Sequence, residues 1–503
     1  MGPTLQTDVA GQAPGSPPGR PVSLPPDRTT QPLSPPPACA ETTVSEEPPR
    51  AARTAPGKGS YRLERWLIRN LLCRLGRLPV AVVLPDGQEL TVADQTPEIR
   101  VRFHDRRAIW LLALDPELYF GDCYMEGRLD VEGDLGRLLQ MVFQRLALED
   151  KRPAGLATRL LRLLRRSASN TLERSRRNVA HHYDIGDAFY ELWLDKKLLY
   201  TCAYFPHPDA DLEQAQQAKM EHVCRKVWLR PGETVVEAGC GWGALALYMA
   251  RHYGVRVHAY NISRNQIAYA RRRAKAEGLD DRVQFIEDDY RNIRGEFDVF
   301  VSIGMLEHVG PAHYTTLAKV IDRSLKPDGR GILHSIGRDR PMEGDRWISR
   351  RIFPGAYAPS LQEMLDVLEP HGFSVLDVEN LRLHYALTLQ HWLDRFEKAR
   401  DQVAQMFDER FVRMWRLYLT GARTAFITGT LQLFQIVFSR TGQNAIPWTR
   451  AGVYGQPVPP NPYARSDASS QHQGTQTSSL DCIPPERCPH SVVCNPILSP
   501  HNG

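Results

Sequence analysis

Thr234-Val235-Val236-Glu237-Ala238-Gly239-Cys240-Gly241-Trp242-Gly243-Ala244 is the stretch that decides the fold. Residues 234–238 read as a buried strand, and a helix follows from Ala244 to Tyr253. Three alternating glycines between them let the backbone turn sharply and approach a ligand closely. A dinucleotide site would space its glycines G-x-G-x-x-G, to seat a pyrophosphate on the helix N-terminus. Here the spacing is G-x-G-x-G, and an acid, Glu237, closes the strand. S-adenosylmethionine has no phosphate but carries a cationic sulfonium and ammonium. A carboxylate two residues before the first glycine suits that ligand better, so Glu237, Gly239, Gly241 and Gly243 are candidate cofactor residues.

Working outward, strand candidates at 234–238, 255–260, 283–286, 297–302, 331–335 and 373–378 alternate with helical stretches. That order predicts a doubly wound α/β sheet. The second strand should end beside a ribose, where Asn261, Ser263 and Gln266 offer polar side chains. A helix start capped by Asn261 or Ser263 is the other reading of that run. Asp288, Asp289 and Tyr290 follow the third strand, where an adenine edge would lie; the plain alternative is a loop of solvated acids.

Before this block, residues 59–150 form a small α+β module. Leu63, Trp66, Leu67, Asn70 and Leu71 carry a helical stripe, and Pro85-Asp86-Gly87 is hairpin chemistry between Ala81–Leu84 and Leu90–Val92. Residues 151–178 read as a basic amphipathic linker helix. Leu156, Leu160, Leu163 and Leu164 fall on one side of it, Arg159, Arg162, Arg165 and Arg166 on the other. Such a helix lies on an anionic bilayer or packs with its charged face in water. Residues 1–58 and 446–503, rich in Pro, Gly, Ser and Thr, read as disordered tails.

The chain has 503 residues, an apolar fraction of 42% and a net charge of +5. No apolar run reaches the roughly 18 residues of a membrane span, and no basic-then-apolar secretory signal opens the sequence. Nine cysteines in this length do not make a disulfide scaffold. Cys482, Cys488 and Cys494 are too widely spaced for a usual zinc knuckle, so no metal is expected. The expected location is cytoplasmic.

Several ordered segments together resemble the cyclopropane-fatty-acyl-phospholipid synthases and the related mycolic-acid cyclopropane synthases and methyltransferases. They are His182-Tyr183-Asp184-Ile185-Gly186, Tyr200-Thr201-Cys202-Ala203-Tyr204-Phe205, Glu237 to Gly243, Gly304-Met305-Leu306-Glu307-His308-Val309-Gly310 and Leu333-His334-Ser335-Ile336-Gly337. Tyr124-Met125-Glu126-Gly127 and Gln432 to Arg440 extend the similarity over about 60–445. The resemblance implies a class I methyltransferase (Rossmann-like) domain over 179–445 with a helical insertion. Its S-adenosylmethionine pocket would comprise Tyr200, Thr201, Glu237, Gly239, Gly241, Gly243, Asn261, Ser263, Gln266, Asp289 and Tyr290. A bicarbonate ion would sit at Cys202, Glu307, His334, Ile336 and Tyr385. Where some members carry a cysteine in the penultimate helical region, this chain has Ala422.

The implied reaction adds one carbon to the double bond of a phospholipid acyl chain. An alkene attacks the sulfonium methyl, a carbocation forms, and loss of a methyl proton closes a cyclopropane. Such a site needs an apolar tunnel, exclusion of water and a base, and Tyr204, Phe205 or Phe353 could face the cation. Transfer without ring closure, to a methyl-branched or methylene product, fits the same motifs. A small-molecule methyltransferase and a non-catalytic lipid-binding module are the readings from other classes. The expected partners are phospholipid acyl chains at the inner membrane face, with no nucleic acid and a homodimer as a possible assembly. Taken singly, Glu307, His334 and Cys202 also read as a salt-bridge acid, a core histidine and an inert thiol. Falling together at the strand ends of one sheet, they read as a site.

Overall fold

The computed structural model describes residues 61–93, 95–149 and 185–464. The two predicted tails up to Ser60 and beyond Ala464, the basic linker 151–178, and His182, Tyr183 and Asp184 lie outside the described residues.

The first module contains α1 (Arg62–Arg74), β1 (Val80–Val83), β2 (Glu89–Leu90), β3 (Ile99–Phe103), α2 (Arg106–Leu114), α3 (Pro116–Met125), β4 (Leu129–Glu132) and α4 (Leu135–Glu149). Its sheet runs β2-β1-β3-β4, with β1 and β3 parallel and the outer pairs antiparallel. The hairpin forms where Pro85-Asp86-Gly87 predicts it: Gly87 takes a positive φ of 82°, and its N–H donates to Leu84 O at 2.9 Å. Asp105 accepts from the N–H of Ala108 and Asp115 from that of Leu118, so each acid starts a helix. The expected stripe on α1 is not its buried face. Glu64, Ile68 and Leu72 face inward, while Leu63 and Trp66 are exposed. Glu64 can be buried because Arg106 and the indole N–H of Trp110 both donate to it, a partnership that a polarity pattern cannot reveal.

After a short helix at Asp187–Glu191, the second block runs through α5 (Leu212–Lys226), β5 (Thr234–Ala238), α6 (Ala244–Tyr253), β6 (Arg256–Asn261), α7 (Arg264–Ala276), β7 (Val283–Glu287) and β8 (Phe297–Ile303). Then come α8 (Leu306–Val309), α9 (Tyr314–Ser324), β9 (Leu325–Gly337), α10 (Arg346–Arg351), β10 (Phe373–Asn380), α11 (Arg382–Lys398), α12 (Glu409–Thr428) and β11 (Gln432–Arg440). The seven strands order as β10-β11-β9-β8-β5-β6-β7, and β11 runs antiparallel to both of its neighbours. From β5 the chain winds to one side through β6 and β7, then returns to β8 on the other. This reversal between β5 and β8 is the switch point at which doubly wound sheets bind ligands. The helices between β10 and β11 are the expected insertion.

Order extends past the expected tail boundary at 446. Arg450–Tyr454 forms a 3-10 turn capped by Thr449, and Arg450 pairs with Asp377 at 2.6 Å. The Tyr454 ring lies 6.5 Å from that of His222. A few aromatic and charged anchors hold this stretch despite its tail-like composition. Among the described residues no helix is long and apolar enough to cross a membrane.

Candidate active site

Glu237 ends β5 nearly fully buried, and its Oε2 has no hydrogen-bond partner among the described residues. Burial pushes its carboxyl up to about 7, against the opposing pull of Lys219. Gly239, Gly241 and Gly243 all adopt positive φ. They are not equivalent. A Cβ on Gly243 would meet the Phe285 ring at 2.5 Å, so this glycine lets α6 close on the sheet. A Cβ on Gly241 would meet nothing within 4 Å. The middle of the loop therefore faces open space beside an unpartnered buried acid, which fits a cationic ligand.

The second strand braces this loop. Asn261 Nδ2 donates to Gly241 O at 3.3 Å and to Gln266 Oε1 at 2.7 Å. Ser263 caps α7 through the N–H of Gln266. The helix-cap reading of that run holds through Ser263, and Asn261 ties the run to the glycine loop. Asp289 is buried and accepts from the N–H of Arg291, so it is not a solvated loop acid. Tyr290 is buried beside it, under the guanidinium of Arg291.

The 200–205 segment approaches the end of β8, where a Cβ on Gly304 would stand 2.9 Å from Thr201. The Tyr200 and Tyr418 hydroxyls are 2.8 Å apart. The Tyr200 ring lies 5.3 Å from Trp193, 5.3 Å from Trp392 and 6.5 Å from Phe353, and Phe353 is 5.6 Å from Tyr418. Thr201 accepts from Lys219 Nζ at 2.9 Å. Cys202 is fully buried, donates to Ala203 O and has its thiol held far above the ordinary range by burial. It is a packed thiol rather than a nucleophile. Tyr204 and Phe205 belong to a separate column of rings: Tyr204 stacks on His222 at 4.1 Å and His384 at 4.9 Å, Phe205 on His391 at 5.5 Å. Of the three aromatic candidates, Phe353 alone packs with Tyr200.

Glu307 lies on α8, just past β8, and is buried. Its Oε1 accepts from the N–H of Ile336 and its Oε2 from the hydroxyl of Ser335, both at 3.0 Å. Burial raises its carboxyl above the usual range, while those donors oppose the rise. The Ile336 amide is thus already engaged by Glu307. Burial lowers His334 to about 3, so it is neutral at ordinary pH. Gln435 Nε2 lies 3.0 Å from its Nδ1. With the Gln435 amide in this orientation its N–H donates to Nδ1, which assigns the ring proton to Nε2. Tyr385, on α11, packs its ring 4.6 Å from Phe426.

Four participants escape the motif reading: Lys219, Gln435, Trp392 and Tyr418. Lys219 is fully buried, and burial lowers its amine to about 8. It touches Thr201 and weighs electrostatically on Glu237, Cys202 and His334.

The family described as "Mycolic acid cyclopropane synthetase" matches residues 170–436. The chain belongs to that family. A domain family of unknown function matches residues 67–148, the first module. A Pseudomonas putida protein named "Probable fatty acid methyltransferase" is 35% identical over 392 residues, covering 75% of this chain and 96% of its own. The "Cyclopropane-fatty-acyl-phospholipid synthase" of Escherichia coli K12 is 42% identical over 266 residues, covering 53% of this chain and 68% of its own. The solved cyclopropane synthase MmaA2 from Mycobacterium tuberculosis superposes with a TM-score of 0.51 at 28% identity, covering 53% of this chain and 98% of that one. The mycolic acid cyclopropane synthase CmaA1, solved in complex with SAH and CTAB, gives 0.50 at 30% identity, with coverage of 53% and 98%. This family member is an S-adenosylmethionine-dependent methyltransferase of class I fold.

Proposed function

We propose that the chain adds a one-carbon unit to the cis double bond of unsaturated phospholipid acyl chains and closes a cyclopropane ring. The observation that carries this reading is the aromatic enclosure of Tyr200, Trp392, Phe353 and Tyr418. Tyr200 leads into Thr201, which accepts from Lys219, and the charge of Lys219 acts on the buried Glu237 carboxyl. A methyltransferase for a polar acceptor has no need of such a wall.

Glu237, the glycine loop, Asn261, Gln266, Asp289 and Tyr290 would hold S-adenosylmethionine, which would supply an electrophilic methyl carbon. The aromatic faces exclude water from a cationic acyl chain and lend it their quadrupoles. Ring closure then requires one proton to leave the added carbon. Glu307, the Nε2–H of His334 and Tyr385 would hold the small anion, a bicarbonate, that serves as base. Glu307 offers an anionic acceptor and His334 a donor, a pair suited to an ion that both donates and accepts.

A second reading keeps the transfer and omits the ring, leaving a methyl-branched or methylene chain. It is favoured by the Pseudomonas putida relative, which matches 75% of this chain and is named a probable fatty acid methyltransferase. Expression in a host lacking its own synthase separates the readings. Ring and methylene products both gain CH2 and are told apart by NMR, while a saturated branch gains two further hydrogens. Unchanged lipids from an enzyme that binds the cofactor would refute both.

A further inference from the structure

α1 and α2 lie side by side, joined where Glu64 accepts from Arg106 and Trp110. Around this joint the surface carries large apolar side chains: Leu63 is 51% exposed, Trp66 58%, Trp110 42% and Leu114 76%. The only acid on either helix is Glu64, which is buried. Arg62, Arg69, Arg106 and Arg107 are exposed. Two exposed indoles and two exposed leucines among exposed arginines, with no outward acid on either helix, match the interface of an anionic bilayer.

We propose that this face of the first module docks the enzyme on membranes containing anionic phospholipid. A second copy of the chain is a poorer occupant, because a two-fold contact sets the same arginines against one another. The position also serves the catalytic block. Leu114 directly precedes Asp115, which pairs with Arg346 at the start of α10. That helix leads to Phe353, beside Tyr200. Docking there holds the module junction, and with it one wall of the site, at the lipid surface from which an acyl chain must come. The proposal rests on the phospholipid reading above, but its test requires no turnover.

The full chain, without cofactor, is sedimented with vesicles of saturated phosphatidylglycerol and phosphatidylcholine, and with phosphatidylcholine alone. Two variants are compared: Leu63→Ser/Trp66→Ser/Leu114→Ser, and Arg62→Gln/Arg69→Gln/Arg107→Gln. All six positions are exposed, so melting temperatures should stay near that of the parent. The parent should prefer the anionic vesicles, and each variant should bind them at least tenfold more weakly. Added salt should weaken the parent and act little on the arginine variant. Parental vesicle binding by both variants overturns the proposal. So does a change in oligomeric state on sedimentation velocity, which would assign the face to a second copy. Turnover of unsaturated phospholipid in detergent micelles is measured alongside. Parental turnover there with weakened vesicle binding supports docking, whereas no turnover in any form refutes the phospholipid reading and leaves the vesicle result standing.

Discussion

Asp122 of the first module grips Arg351 of the catalytic block through two hydrogen bonds of 2.9 Å, Nε to Oδ1 and Nη2 to Oδ2. Beside this clamp, a Cβ on Gly121 would stand 2.4 Å from the indole nitrogen of Trp347. Arg351 is two residues from Phe353, so the first module helps to set one wall of the site. Asp122→Asn keeps the shape but removes the charge. It should cost about 1–3 kcal/mol of stability, the range for losing one partner of a charged hydrogen bond. If the clamp sets the wall, the Michaelis constant for lipid should rise more than the turnover number falls. Thermal unfolding and steady-state kinetics on one preparation test both parts, and an unchanged Michaelis constant would make the clamp purely structural.

The glycine loop separates strain from packing. Gly241 has φ 54° with open space where a side chain would point, whereas Gly243 would drive a Cβ into Phe285. Gly243→Ala should therefore destabilise the fold. Gly241→Val should leave the melting temperature within a few degrees and abolish cofactor binding, because the added bulk fills the ligand side. Calorimetry with S-adenosylmethionine decides, and native affinity in Gly241→Val would remove the loop from the cofactor site.

Much of this architecture is legible in the sequence, and the reasons for the exceptions are physical. The strand–glycine–helix run and the alternation around it give the sheet, because parallel buried strands are continuous apolar runs. Glu307 and His334 stand out as polar groups at strand ends. Lys219 does not. Gln216, Lys219, Val223 and Lys226 all face inward on α5, yet a mostly polar stripe at helical spacing ordinarily reads as a solvated face. The same inversion hides Glu64 on α1. Gln435 lies in the Gln432–Arg440 run, which is not among the strand candidates, and its partner emerges only with the register Gln435–His334. Such groups become visible only when tertiary partners are placed.

The acid of the loop should make cofactor binding pH-dependent. With Glu237 raised to about 7, the neutral form accumulates as pH falls through that value, and a cationic ligand loses its counter-charge. Affinity should drop by about tenfold per pH unit below 7. The apo fold should respond in the opposite sense. A carboxyl whose folded pKa lies above its unfolded value stabilises the fold below the unfolded pKa, and that contribution is lost as pH rises through 7. Lys219→Met removes the nearby cation that opposes the rise, so the binding profile should shift to higher pH. Glu237→Gln should flatten it. A profile that neither variant moves would show that Glu237 does not govern binding.

His334 depends on Gln435 for its tautomer. Gln435→Leu removes the donor to Nδ1 and frees the ring to place its proton on either nitrogen. Turnover should fall by about tenfold or more while cofactor affinity stays unchanged, the pattern of a positioning residue. Gln435→Glu offers an acceptor where a donor stood and should favour the other tautomer, with a larger loss. The two NMR-distinguishable ring nitrogens report the tautomer directly. Parental turnover together with a changed tautomer would show that the His334 proton has no part in the reaction.

Glu307 carries the most consequential prediction. Its two oxygens are held by Ile336 N–H and the Ser335 hydroxyl, which fix the carboxylate plane and leave further lone pairs to accept from an ion. Glu307→Gln retains the volume, but its amide NH2 must face one of those two donors and cannot accept from an ionic O–H. Cofactor affinity should be retained, since Glu307 follows β8 whereas the glycine loop follows β5. The chemical step should slow by about two to four powers of ten, the usual worth of positioned proton transfer. If deprotonation becomes slow relative to escape of the cation, methyl-branched, methylene or hydroxylated lipids should rise relative to the cyclopropane. Tyr385→Phe and His334→Ala should show weaker forms of the same shift. Single-turnover kinetics with product analysis by mass and NMR reads both effects at once. A Glu307→Gln enzyme with the parental rate and parental product would reduce Glu307 to a structural carboxylate bracing β9 and displace the proposed base from this corner, while leaving methyl transfer itself intact.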